Sequence, residues 1–534
     1  MKQAIQHLDR LAHQLAEHPL CEWMTSAPLE DARRHYDPFL VMMGWIINFR
    51  YYNEMYLAYD LTAAPEDDEL TMLKQVINEH VQEDRTHVRM FLQDIRQLEL
   101  AELWRLQEPS SLLWTMWVSP MLDDMRAGVS ERVAAVVAEE DAWPVYRYLH
   151  IEQVERDGNL MFSAAHRSTD RVVAQRHPNP IYFGEHHLDR ETGRLGGEAF
   201  FEQVTLSPEQ TARARGLLDY KHSLSLRLYD AMHRFVVAAE KHPFSGDLLR
   251  NEQEQSLSHV RRRIEDHQAG RIETPRWTIR PDACSEQSEL IGAWHRHHAD
   301  FVDHPFARRC REAGPGEVGF VLRCAALLLA NRITALHTFY LHDCRVEEGS
   351  GAGAREVDFI RRMFATEAET FFHDWDVLEM DRRIPWPAAD MLEWWFLDRT
   401  YGRPEIQTLH EWRRQVLRVN DPIGKYWAIM SVHIMSRAFF GCVAPLAERF
   451  SAMHPDKPRL VYFENLHHLL YNREDENFAN PGHPTSLAHL PISEQQRERL
   501  LQMMDTFARL GMRQFDNMAR ALTEDREQFA FLRD

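Results

Sequence analysis

The chain has 534 residues, 44% hydrophobic and 27% charged, with only 22 Gly and 25 Pro, a composition that excludes disordered, collagen-like and low-complexity proteins. With 62 Lys plus Arg against 82 Asp plus Glu the formal net charge is -20, and no basic run is long enough to track a phosphate backbone, so nucleic acid is excluded as an expected partner. The length exceeds what one hydrophobic core organises and suggests several domains.

From the N-terminus, Met1 to Trp23 reads as amphipathic rather than as a secretory signal, and apolar runs such as Phe39 to Phe49 stop at about 11 residues, short of the ~20 that a spanning helix needs. A soluble, cytoplasmic protein with no membrane contact is expected. Asn48 to Leu61 is a helical stretch carrying Glu54, a surface glutamate by its setting and a weaker candidate for an extra carboxylate ligand.

Leu73 to Ile95 is helical by period, with Leu73, Ile77, His80, Asp84, His87 and Phe91 on one face. An Asp and two His inside an otherwise apolar stripe must be paired or bind something, because burying an unsatisfied charge is costly. Glu83, one turn before His87, lies at the edge of that face. Taken alone, the motif reads most simply as a solvated carboxylate–imidazole pair on an exposed helix.

Further motifs change that balance. Val145 to Phe162 is helical and carries Glu155, with Tyr148, Ile151 and Phe162 on its side and Glu152 as a substitute. Later, His187-x-x-x-Glu191 places an imidazole and a carboxylate one turn apart. Three helices could then point carboxylates and imidazoles into one bundle, which is how bundles hold pairs of iron or manganese ions. Trp143, Tyr182 and Phe183 read as core aromatics.

No sustained stretch alternates with the period of a strand, so the fold is expected to be all-α. The chain also repeats itself. Leu217-Leu218-Asp219 and Asp230-Ala231-Met232-His233-Arg234 reappear as Met503-Met504-Asp505 and Asp516-Asn517-Met518-Ala519-Arg520. Glu83-x-x-x-His87 finds a counterpart in Glu369-x-x-x-His373, and His177-Pro178 through His187 in His454-Pro455 through His468. The spacing predicts a first domain over 1–265, a linker over 266–289 that holds Pro275 and Pro281, and a second domain over 290–534. The second copy is expected to bind metal poorly: Pro422 to Ala447 contains no Asp or Glu, and His468-x-x-x-Asn472 or His467-x-x-x-Tyr471 stands opposite His187-x-x-x-Glu191. The six cysteines show no CxxC spacing, and nucleotide-binding and nucleophile-elbow motifs are missing.

In order and spacing, these motifs resemble the heme-oxygenase-like diiron oxidases, over most of the first copy. The resemblance implies two tandem heme-oxygenase-like helical bundles, with metal ligands Glu83 or Asp84, His87, Glu155, His187 and Glu191. It implies two Fe(II) ions in the N-terminal domain only, dioxygen as cosubstrate, and oxidation of a small metabolite such as an amino acid or its derivative by N-oxygenation, oxidative C–C cleavage or desaturation. The family's second late His falls on Arg194, whose guanidinium has no lone pair to offer a metal and would instead pair with Glu191 or with an anionic substrate. The second metal position would then be weak, recruit His186 or His80, or be absent. The alternative is a metal-free enzyme or binder on the same fold, similar to thiaminase-like or quinone-cofactor-forming relatives. The expected partner is a small-molecule substrate, and a homodimer is compatible with the sequence.

Overall fold

The computed structural model describes residues 1–61, 69–138, 143–189, 204–271, 287–347, 351–466, 487 and 489–533. The chain is all-α, with helices interrupted by short 3-10 and π turns and no strand among the described residues. It divides into two compact units, Met1–Asn251 with Pro387–Phe396, and Glu252–Trp386 with Leu397–Asp534. The first break comes before the expected boundary at 265, inside the helix Asp247–Gln268, because Val260 and Ile264 pack with Val461 in the second unit's own core. Most of the expected linker lies outside the described residues.

The short segment Pro387–Phe396, which a tandem reading assigns to the second copy, belongs to the first unit. There the Tyr51 hydroxyl donates to Phe396 O, and Arg96 reaches Asp390 at 2.9 Å. Local patterning carries no trace of this exchange.

In the first unit the helix Pro144–His166 is central. Proline at its first position fixes φ where no N–H is needed. It packs against the helices Lys2–Ala16, Pro19–Ser26, Glu69–Glu83 and Pro208–Ala239. Full burial of Val145, Leu149 and Ile151 contributes about 1.5–3 kcal/mol each before entropy is counted. The expected helix over 73–95 is divided: Glu69–Glu83, a 3-10 turn Asp84–Thr86, then His87–Gln97. Its predicted face survives the division, with Leu73, Ile77, His80, Asp84, His87 and Phe91 all buried.

In the second unit the helix Pro422–Met453 packs against Ser288–Val302, Pro305–Glu312, Val318–Thr338 and Glu494–Leu522. Helical segments here outrun the apolar runs read in the sequence: Pro315–Asp343 and Pro422–Met453 are long and apolar enough to cross a membrane, yet 94% and 67% of their apolar windows lie buried within the protein.

Several devices occur in both units. Capping boxes, Ser207 with Gln210 and Ser493 with Gln496, open the helices Pro208–Ala239 and Glu494–Leu522. His18 and His304 each accept an N–H at the start of their own helix, and each meets an aspartate 212 residues on, Asp230 and Asp516, at 3.1 Å. Asp94 accepts backbone N–H groups from Ile181 and Phe183, and Asp374 from Val461 and Phe463, at identical separations of 87 and 89 residues. This last register corrects one expected pairing. Counting back from Asp374 as His87 counts back from Asp94 reaches Glu367, so Glu369 and His373 are not the counterparts of Glu83 and His87. Short gaps in the connecting segments shift the second motif, and a four-residue spacing recurs too easily to reveal the slip.

Candidate metal centre

The first unit gathers its chemistry where the helix Glu69–Glu83, the turn Asp84–Thr86 and the helix Pro144–His166 meet. His80, Asp84 and Glu155 are all buried, and one donor atom from each lies within 4.8 Å of the others. His80 Nε2 stands 2.9 Å from Asp84 Oδ2 and 3.3 Å from Glu155 Oε1. Metal–ligand bonds of about 2.1 Å at tetrahedral or octahedral angles place neighbouring donors roughly 3.0–3.4 Å apart, so these separations suit a shared ion. The mixed nitrogen and oxygen set suits iron, manganese or zinc rather than calcium or magnesium.

His87 joins from the start of its helix, with Nδ1 3.4 Å from Asp84 Oδ1. The His187 ring lies 4.5 Å from that of His87, edge to face. His187 is fully buried on the short helix Glu185–Leu188, stacked on Tyr182 at 4.6 Å. Its Nδ1 lies 2.9 Å from Tyr182 O, a carbonyl that can only accept, so Nδ1 carries the proton and Nε2 the lone pair.

That geometry depends on Asp94, whose carboxylate accepts N–H groups from Ile181, Tyr182 and Phe183 at 2.8, 2.8 and 3.1 Å. Burial pushes the Asp94 carboxyl up to about 6, against the pull of those three donors. Gly184 completes the turn, since a Cβ there would collide with the Pro180 carbonyl.

Asn53, first residue of the π turn Asn53–Leu57, donates through Nδ2 to Asp84 Oδ2. Its Oδ1 is buried without a hydrogen-bond donor among the described residues. Leaving such an atom orphaned costs about 1–3 kcal/mol, and a metal-bound water beside Asp84 would relieve it. Two buried carboxylates also call for positive charge close by. On both counts the residues present fit a dication.

Four sequence-predicted ligands, Asp84, His87, Glu155 and His187, therefore come together, and the choice between Glu83 and Asp84 falls on Asp84. Glu83 is exposed, because the backbone of one helical turn cannot aim two consecutive side chains at one point. His80, named in the sequence only as a reserve ligand, sits at the middle of the cluster. His186 is exposed. Glu152 is turned to the Tyr148 hydroxyl and lies 3.5 Å from Arg156, and Glu54 pairs with Arg50 and Arg85 at 2.9 and 2.7 Å. Glu191 and Arg194 lie outside the described residues.

Beside the cluster is a cavity of about 80 Å³, lined by His87 and Glu155 on one side and by Arg132, Asp157 and Ser225 on another. Arg132 had no signal in the sequence: its helix, Asp123–Ala138, carries charges all round, and only tertiary docking selects which of them, Arg126 and Arg132, are buried. Burial pushes the Asp157 carboxyl up to about 6, opposed by Arg132 and by the Ser225 hydrogen bond.

In the second unit the equivalent positions carry other chemistry. Aligned on Asp94 and Asp374, Asp84 falls on Phe364 and His80 on Ile360. Aligned on the first residues of the central helices, Pro144 and Pro422, Glu155 falls on His433. The rings of Phe364 and His433 lie 4.9 Å apart. His373 instead meets Arg459 O at 3.0 Å. No second metal-ligating cluster occurs among the described residues. No family model matches this chain, and no curated protein matches its sequence.

Proposed function

We propose that the chain is a non-heme iron oxidase or oxygenase of the heme-oxygenase-like kind, acting on a small metabolite in its N-terminal unit. The observation that carries this reading is the buried His80–Asp84–Glu155 triad, with His87 and His187 beside it, next to a small cavity. Asp84 and Glu155 would hold the ion through oxygen and neutralise it, while His80 would ligate through Nε2. His87 and His187 would complete that position or begin a second one together with Glu191. A bound ferrous centre would supply the electrons that activate dioxygen. The protein's own part is to hold the donors rigid, keep Nδ1 of His187 protonated through Tyr182 O, and exclude bulk water with the ring of Phe162, 4.2 Å from His187.

The test is anaerobic Fe(II) loading followed by metal analysis and an oxygen-uptake trace. Wild-type protein is expected to retain iron and consume oxygen, and Glu155→Ala to lose at least about 90% of the iron. Iron retained by Glu155→Ala at the wild-type level sinks the assignment.

One observation favours a second reading. His80 lies within hydrogen-bonding reach of both carboxylates, so a protonated imidazole would offset one of the two negative charges without an ion. A metal-free enzyme would then use the same residues to bind substrate and move protons. Absence of iron uptake by the folded wild-type protein would select it.

A further inference from the structure

The cavity beside the triad has a second polar wall, formed by the helices Asp123–Ala138 and Pro208–Ala239, which has no part in metal binding. Arg132 is only 8% exposed there. A guanidinium cannot shed its proton, so its charge has to be answered inside the protein. Among the described residues it makes one hydrogen bond, from Nη2 to Ser225 Oγ at 2.6 Å. Ser225 in turn donates to Asp157 Oδ2 at 2.5 Å, so the nearest carboxylate is reached through a hydroxyl rather than by a direct ion pair. Tyr229 fixes the same corner by donating to Asp157 O at 2.9 Å. A fork of five donors with one in use, held on a helix and bordering a small cavity, is built to take two oxygens of a planar anion.

The remaining walls are hydrocarbon and aromatic: Trp45, Phe49, Met161 and Leu228. They suit a short apolar chain. The size sets a further limit. At about 10–15 Å³ of such space per water-sized group, the ≈ 80 Å³ admits roughly five to eight non-hydrogen atoms.

We propose that this cavity binds a short-chain carboxylic acid, with its carboxylate on Arg132 and its hydrocarbon part directed towards His87 and Glu155. The assignment rests on the metal-site reading for its chemical purpose, but the anchor can be measured without metal. It also gives Arg132 the substrate-anchoring role that the resemblance suggested for Arg194.

The test is calorimetric titration of propionate and of its neutral isostere propionamide into the full chain, both iron-loaded under anaerobic conditions and metal-free. Propionate is expected to bind more tightly than propionamide in both forms. Arg132→Met should weaken propionate about ten- to hundredfold, the worth of a charge-assisted pair, with propionamide and iron content unchanged. Two further variants guard against a misfolded Arg132→Met. Arg132→Lys should weaken propionate several-fold by replacing a fork with a point charge, and Leu228→Trp should abolish binding by filling the cavity. Propionate affinity unchanged in Arg132→Lys and Leu228→Trp overturns the proposal, as does propionamide bound as well as propionate. Propionate that binds only the iron-loaded form, indifferent to Arg132, overturns it too. Failure of the wild type to take up iron, with discrimination by Arg132 intact, removes the metal reading and leaves the anchor.

Discussion

The two units share a frame and differ in what it encloses. Each has its capping box, its histidine-capped second helix and its aspartate holding a three-residue segment by backbone N–H groups. Inside, the first unit presents His80, Asp84, His87 and Glu155 where the second has Ile360, Phe364, Glu367 and His433. The frame devices satisfy backbone and helix ends, so any occupant of the interior needs them. The His80–Asp84–Glu155 cluster is no part of that frame, and other side chains stand at its positions in the second unit. Charge persists in the second interior, in another form: Arg332 lies over the Trp412 ring at 4.2 Å, and both Glu367 and Glu405 feel it.

The largest expected effect would break the frame in each unit separately. Asp94→Ala and Asp374→Ala each leave several buried N–H groups without an acceptor and should each cost about 3 kcal/mol in denaturant unfolding. Only Asp94→Ala should also lower iron retention, because it releases the segment that carries Tyr182 and His187. Equal iron loss in both variants would contradict the division of labour.

A second experiment addresses the converted interior. Burial pushes the Glu367 carboxyl up to about 8, opposed by Arg332. A carboxylate whose folded value is raised stabilises the fold fully below its unfolded value near 4.3, and that stability is lost as pH rises through the folded value. Between pH 6 and pH 9 the loss attributable to Glu367 should be about 2.7 kcal/mol. Glu367→Gln should flatten that part of the stability–pH curve, and an unchanged slope would show that the group is ionised throughout. The smallest effect belongs to Glu83→Ala, which should leave stability within about 0.5 kcal/mol and iron content untouched, in contrast to its neighbour Asp84. Iron loss in Glu83→Ala would return that residue to the ligand set.

Much of this was legible in the sequence, and the failures have physical causes. The buried stripe from Leu73 to Phe91 follows from period alone, since an apolar face with three ionisable residues can be read without knowing its neighbours. Asp84 and Glu83 could not be separated: they are adjacent, and the 3-10 turn that fixes which of them faces inward depends on packing. His80 was visible on the right face but ranked too low, because its two partners come from different parts of the chain. Arg132 and the segment Pro387–Phe396 were invisible for a related reason. Their placement is decided by long-range docking, for which a single sequence has no periodic signature.

The grip of Asp94 on Ile181, Tyr182 and Phe183 links His87 and His187 in a way that their distance along the chain hides. Asp94 sits on the helix His87–Gln97, so the rod that begins with one imidazole also carries the clamp that seats the other. The two rings are yoked: tilting that rod carries both together and preserves the spacing between them.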